Sequence, residues 1–338
     1  MKIVVFGSER RVGAWEGDQV IDLNRAFASY LREQRGDAKA QEQAEAWVPA
    51  RLEAFITAGP AALVDAQRAI EHVANSGPEA SRSAEAVVHD VKDVKFHAPW
   101  PHRRTACVGG NFAAHLAGMW ANRPGVTGDI AKITRGAREE GQWGFWEVPD
   151  AVAGPDNDIP LPKRARYFDY EGEAAIVLGK RGKDIPAERI DEHVWGVTLF
   201  HDWSIRDGAP SGPRGIAINY NLAKNFDSST SMGPCIVVGE LDHRRVDVET
   251  RVNGQVRQRY NTKEMIWSFG EILEHLSRDF TFVPGDVIAG GTSAGTAADK
   301  TRRRPDGTRP LDLFLKVGDV VEVSSPKIGI LLNRIVRA

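Results

Sequence analysis

Residues 167–180 read YFDYEGEAAIVLGK, and the reading of this stretch decides the fold. Residues 174–178 form a short apolar run, β-branched at Ile176 and Val177 and closed by Gly179-Lys180, which predicts a strand. Glu171 and Glu173 stand two apart, so on a strand both carboxylates project from one face. Like charges that close raise each other's pKa unless a cation lies between them. A hard divalent ion such as Mg²⁺ or Mn²⁺ meets that need, because it prefers carboxylate oxygen. The plainer alternative is a strand edge with two solvated glutamates. A second apolar strand with its continuation, residues 195–207 (WGVTLFHDWSIRD), offers Asp202 as a third carboxylate. Three oxygen ligands favour Mg²⁺ or Mn²⁺ over Zn²⁺.

Outward from this pair, residues 1–23 read as a small antiparallel meander (KIVVFGS, RRVGAWEG, QVIDL) split by glycines and charged turns. A helix is expected from Leu23 to about Arg35. Trp47, Leu52, Phe55 and Ile56 give a further helical stripe, and Leu63, Ala66, Ile70 and Val73 another after Gly59-Pro60. Residues 76–85 suit a linker. The first 93 residues therefore read as a small α+β domain, and residues 94–338 as the catalytic domain.

In the second part strands are expected at 105–109, 171–178, 195–201, 234–238, 248–252, 286–290, 320–324 and 328–335. One helix is expected over 262–280, capped by Thr262, with a stripe of Ile266, Phe269, Ile272, Leu273 and Leu276. The fold class is α+β, mostly β and mostly antiparallel.

With 338 residues and a net charge of −2, the chain can bury a real core and shows no footprint for nucleic acid or a membrane surface. Its 2 cysteines, Cys107 and Cys235, lie in apolar runs and read as buried thiols of a reducing compartment. The N-terminus lacks a signal-peptide pattern and no apolar run has membrane-spanning length, so a soluble, cytoplasmic protein is expected. Arg302-Arg303-Arg304 lies in a Pro/Gly-rich stretch and reads as a solvated turn.

Five blocks in order, DYEGEAAIVLGK, GVTLFHDWSIRD, VNGQVRQRYNT, FTFVPGDVIAGGTSAG and LKVGDVVEV, resemble the fumarylacetoacetate hydrolase superfamily. The resemblance runs from about Thr105 to the C-terminus. It implies a mixed β-sandwich roll, a homodimer, and an Mg²⁺ or Mn²⁺ ion held by Glu171, Glu173 and Asp202. His115, in CVGGNFAAHLAG, is taken alone a structural histidine; the resemblance makes it the general base. Many smaller members carry a Glu three residues later, where this chain has Gly118. Glu139, Glu140 or Glu147, in a segment the family orders as a lid, could replace that partner, although surface charge is the plainer reading. Glu147 also stands where the family usually has a lysine. Lys224, in NLAKNFDSSTSMGP, matches a family lysine near the metal. Arg206 and Asp207 suggest an ion pair shaping their loop, and Ala209 replaces a glutamine that often binds the substrate carboxylate.

Gly291 and Thr292 follow a strand in a turn whose amides can approach a ligand, since glycine lacks Cβ. The resemblance places both, with Thr262, around the substrate and metal. The same turn contains a formal G-x-S-x-G match at Ser293. A nucleophile elbow needs a packed helix and a later histidine; residues 296–307 do not read as a buried helix, and the last histidine is His275. The implied activity is hydrolysis of a C–C bond in a small acylpyruvate or β-diketo acid. The alternatives are decarboxylation, tautomerisation or hydration of a 2-oxo acid on the same site.

Overall fold

The computed structural model describes residues 1–80, 87–119, 128–148, 152–207, 220–302, 304, 306 and 308–338. The 76–85 linker falls partly, and Ala209 and Arg303 wholly, outside the described residues. In chain order the strands are β1 (Lys2–Phe6), β2 (Arg11–Glu16), β3 (Gln19–Asp22), β4 (Val88–Asp90), β5 (Phe96–His97), β6 (Thr105–Gly109), β7 (Trp143–Glu147), β8 (Asp158–Leu161) and β9 (Phe168–Asp169). They continue with β10 (Gly172–Leu178), β11 (Val194–Asp202), β12 (Ser204–Ile205), β13 (Thr230–Val237), β14 (Asp247–Val252), β15 (Gln255–Asn261), β16 (Val287–Ala289), β17 (Val320–Ser325) and β18 (Gly329–Arg337).

One sheet runs β4-β3-β2-β1-β13-β11-β10-β16-β6-β7 with β5 on β1, and a second runs β15-β14-β17-β18-β8. Pairing is antiparallel except between β16 and β6 and between β18 and β8. The architecture is mixed α+β and mostly β.

The N-terminal meander does not stand apart. Lys2 and Ile3 of β1 pair with Val237 and Ile236 of β13, so the first strands extend the sheet that carries the acidic residues. Asp22 ends β3 and caps helix α1 (Leu23–Arg35), accepting from the Arg25 N–H at 3.1 Å. Gly36, at φ 63°, ends that helix in the left-handed conformation glycine adopts without strain. Helices α2 (Ala40–Trp47), α3 (Leu52–Thr57) and α4 (Pro60–Ala80) follow.

The position of β10 explains its unbroken apolar run. Ala175 and Val177 pack with Phe27, Leu31, Phe55 and Ile56 of the N-terminal helices. Ala174, Ile176 and Leu178 face Val248, Val323 and Leu331 of the second sheet. A strand covered on both faces reads as continuous rather than alternating.

The helix expected over 262–280 is shorter. Residues Thr262–Glu264 make one 3₁₀ turn, and the α-helix α8 spans Phe269–Ser277. Its cap is Ser268, in a reciprocal box with Glu271, not Thr262. Residues 265–267 stay outside the helix because Asn111 grips them: its carbonyl oxygen accepts the Trp267 N–H at 2.8 Å and its amide donates to Trp267 O at 3.0 Å. Two further helices, α5 (Ala113–Met119) and α6 (Ile130–Glu140), lie between β6 and β7, and a four-residue α7 (Tyr220–Ala223) precedes β13. Residues after Gly295 do form a helix, α9 (Ala297–Lys300), with Ala297 and Ala298 buried. It is short enough that small side chains suffice to pack it. Among the described residues no helix is long and apolar enough to cross a membrane.

Candidate active site

Pairing of β10 with β11 sets Glu173 opposite Phe200 and Gly172 opposite His201, and the Asp202 N–H donates to Glu171 O at 3.0 Å. The three acids that lie far apart in sequence are therefore neighbours at one end of a strand pair. Glu171, Glu173 and Asp202 are all buried and offer oxygens within 4.8 Å of one another.

Lys224 lies among them, its Nζ donating at 2.6 Å to Glu171, to Asp202 and to the Ser204 hydroxyl. Arg206 donates to Glu171 and, at 3.0 Å, to Asp169. Asp207 instead accepts the N–H groups of Arg166 and Tyr167. Arg206 thus joins the acidic cluster instead of simply bracing its own loop.

Burial is the largest influence on each carboxylate and raises its pKa, because the charged form loses water. For Glu171 the charges of Arg206 and Lys224 outweigh burial and hold it well below the usual range. Asp202 is pushed up to about 6 by burial, with Lys224 acting against it. Glu173 is raised well above its usual value by burial and by the charges of Asp202 and Glu171; the Gly291 N–H, at 2.9 Å, eases it only in part. One oxygen of Asp202, Oδ1, is buried without a hydrogen-bond partner. An all-oxygen set with one under-neutralised acid and one orphaned oxygen fits a hard divalent cation.

His115, on α5 and 7% exposed, points Nε2 toward Glu171 at 4.0 Å. Its Nδ1 lies 3.0 Å from Oδ2 and 2.9 Å from Oδ1 of Asp299. A carboxylate can only accept, so Nδ1 carries a proton, and in the neutral ring Nε2 presents its lone pair to the cluster. Burial, the largest influence, lowers the His115 pKa; Asp299 and Glu171 outweigh it and raise the net value.

Asp299 is the acid partner that the sequence reading lacked. It is the third residue of α9, in a capping box with Thr296, and its Oδ2 also accepts from Gly295 and Thr296 at 2.9 and 3.3 Å. Asp169 anchors the same helix by accepting the N–H groups of Ala297 and Ala298. The reason for Gly118 follows: a Cβ there would come within 2.8 Å of Asp299 Cβ. The acid fills the space that a side chain at 118 would need.

Other expectations fare differently. Glu139 and Glu140 are exposed at the end of α6, but Glu147 is 1% exposed, pointing inward from β7 and accepting from the Thr230 hydroxyl. The surface reading therefore fails for Glu147: its carboxylate lies near Asp202, whose charge, after burial, holds it well above the usual range. The segment read as a lid forms α6 and the edge strand β7, paired along β6.

Gly291 uses its amide to hold Glu173 and adopts φ 86°, where a Cβ would meet Val108 O at 2.9 Å. Thr292 donates to Gly172 O at 3.0 Å and accepts from Gln258 at 2.7 Å, beneath the acids. Thr262 donates to His243 O and accepts from Val246, and none of these partners belongs to the acidic cluster. Both cysteines are buried free thiols.

The family model described as fumarylacetoacetate (FAA) hydrolase C-terminal matches residues 104–336. The mitochondrial oxaloacetate tautomerase FAHD2A of Bos taurus is 32% identical over 345 residues, covering 99% of this chain and 92% of its own. Oxaloacetate tautomerase YisK of Bacillus subtilis is 31% identical over 253 residues, 73% of this chain and 75% of its own. Among solved structures, fumarylacetoacetate hydrolase of Exiguobacterium antarcticum matches with a TM-score of 0.66 at 26% identity, both chains being covered completely. The chain belongs to the fumarylacetoacetate hydrolase family.

Proposed function

We propose that this protein interconverts the keto and enol forms of a small 2-oxo acid of the oxaloacetate type. The observation that carries the reading is His115: a histidine with an acid behind Nδ1 and its Nε2 turned toward a buried carboxylate cluster. Two relatives that cover most of this chain at 31–32% identity and bear the name oxaloacetate tautomerase support the choice of reaction.

Glu171, Glu173 and Asp202 would hold Mg²⁺ or Mn²⁺. When bound, the ion supplies a Lewis acid for the substrate's carboxylate and neighbouring keto oxygen. In the keto-to-enol direction His115 Nε2 takes a proton from the carbon beside the keto group, and the enolate oxygen takes one from solvent on release. In reverse the enol oxygen gives its proton to solvent and His115 returns one to the carbon. Asp299 keeps the ring in the tautomer this needs and stabilises the imidazolium that forms. Lys224 holds its ammonium beside Glu171 and Asp202, where it stabilises negative charge on the enol oxygen. Burial of all these groups limits competing water.

A 26%-identical fumarylacetoacetate hydrolase supports a second reading, hydrolytic cleavage of an acylpyruvate. It asks more of the same residues: His115 must also activate a water, and a donor must protonate the departing carbanion. Purified protein with Mg²⁺ or Mn²⁺ and enol-oxaloacetate should accelerate loss of the enol absorbance with total oxaloacetate conserved. Release of CO₂, or no effect on the enol together with cleavage of acylpyruvates into two acids, would refute the tautomerase.

A further inference from the structure

Glu147 is not used by that chemistry, and its surroundings are unusual. It lies on β7 in register with Thr105 of β6 (so the two share a face), and Cys107 lies two residues further along the same face of β6. Asp202 reaches the same place from the end of β11. Cys107, Glu147 and Asp202 are 3%, 1% and 2% exposed, with the thiol sulfur and one oxygen of each carboxylate within 4.8 Å of one another.

Glu147 Oε1, Asp202 Oδ1 and the Thr105 hydroxyl are bonded to no N–H or hydroxyl of the described residues, and the two carboxyls meet only each other there. Orphaned buried polar oxygens cost free energy, and two buried carboxylates facing each other with one ammonium, Lys224 on Asp202, stay under-neutralised. Among the described residues no ion pair joins Lys224 or Arg206 to Glu147: Lys224 pairs with Glu171 and Asp202, and Arg206 has Asp169 and Glu171 among its partners. A divalent ion among Glu171, Glu173 and Asp202 would answer Glu173, but leaves Glu147 without a cation.

We propose that Cys107, Glu147 and Asp202 form a second cation subsite, sharing Asp202 with the first. The inference rests on the first-ion reading only through that shared carboxylate. A thiol with two carboxylates departs from the all-oxygen set next to it and suits Zn²⁺ or Co²⁺ better than Mg²⁺. Two ions bridged by one carboxylate can clamp a substrate's oxygens from both sides.

Co²⁺ alone is the probe, added to the full chain after chelation and dialysis and followed by calorimetry and near-ultraviolet absorption. The wild type should take up a second equivalent beyond the one that Mg²⁺ displaces, with a thiolate-to-cobalt charge-transfer band. C107S should lose the band and that equivalent, and E147Q should weaken the equivalent about tenfold or more. E173Q should lose Mg²⁺ binding yet keep the band, which separates the two positions. Saturation of the wild type at one Co²⁺ without a charge-transfer band would overturn the subsite. A band without any Mg²⁺ binding would leave it standing and sink the first-ion reading instead.

Discussion

Exchanging Asp299 for Asn keeps the side chain's shape and removes its charge. Both Asp299 oxygens lie 2.9–3.0 Å from His115 Nδ1, and Oδ2 also accepts the Gly295 and Thr296 N–H groups, so the Asn carbonyl keeps the Oδ2 place and its NH₂ group meets the ring nitrogen from the Oδ1 place. The remedy is for Nδ1 to give up its proton and accept, which puts the proton on Nε2. That tautomer points a donor at the substrate carbon and cannot act as the base. General-base catalysis is worth about 10²–10⁴-fold, so kcat should fall by that factor, or about 2.7–5.5 kcal/mol of barrier. KM should change little, because Asp299 touches no substrate.

The pH profile distinguishes this from simple loss of packing. Burial lowers the His115 pKa, and Asp299 is the largest influence raising it. Without that charge the pKa falls, so the acid limb of kcat/KM should move to lower pH. Tautomerisation followed by enol absorbance across pH, with circular dichroism to verify folding, is the assay. A kcat within about threefold of wild type and an unmoved acid limb would refute the role.

The complementary exchange is Gly118→Glu. In the wild type it drives a Cβ to 2.8 Å from Asp299 Cβ and should cost about 1–3 kcal/mol of stability. Combined with Asp299→Gly the clashing Cβ is gone and only Cα, 3.1 Å away, has to give; the new carboxylate stands three residues beyond His115 on the same helix face. The double variant should be more active than Asp299→Gly alone; if it is not, geometry at His115 demands more than a nearby acid.

Glu171→Ala leaves Lys224 and Arg206 buried with fewer anions and should lower the unfolding free energy by about 3–5 kcal/mol in urea melts; a loss below about 1 kcal/mol would contradict the buried pairing. Mg²⁺ or Mn²⁺ at a hundred times its Kd should stabilise the wild type by about 2.7 kcal/mol and leave Glu173→Gln unchanged, read as thermal midpoints with and without chelator. His243 has its pKa lowered by burial, so below about pH 6.5 the unfolded chain takes a proton that the folded chain refuses. Its contribution is full above that pH and lost as pH falls toward the folded value; His243→Asn should flatten the decline of urea midpoints between about pH 7 and pH 5.

The acidic triad was legible because strand periodicity puts Glu171 and Glu173 on one face, the end of the next strand offers Asp202, and the family resemblance ties the three to one ion. Asp299 was not, since its partnership with His115 spans 184 positions and exists only once the sheet has rolled. Two local signals pointed to it: the empty position at Gly118, and Thr296-x-x-Asp299, which has the spacing of a capping box. The same box at Ser268 and Glu271 marks the true start of α8, whereas the apolar stripe through Ile266 could not, because burial of Ile266 does not require helical backbone.

Glu147 shows what period-2 reading delivers and what it withholds. Alternation along β7 puts Phe145 and Glu147 on one face, but whether that face meets solvent depends on where the sheet's far side comes to lie. The path from β13 through β11, β10, β16 and β6 to β7 curls until its two ends touch: Thr230 of β13 donates to Glu147, and Asn225 accepts the Val148 N–H at 2.8 Å. An edge residue read as a surface charge is thereby enclosed with the other acids. The chemistry of the site consequently depends on closure of the roll as much as on its ligands. Asn225→Ala, which removes side-chain bonds to Val148 and Trp146 and none to a proposed ligand of the first ion, should therefore still weaken Mg²⁺ binding read by calorimetry.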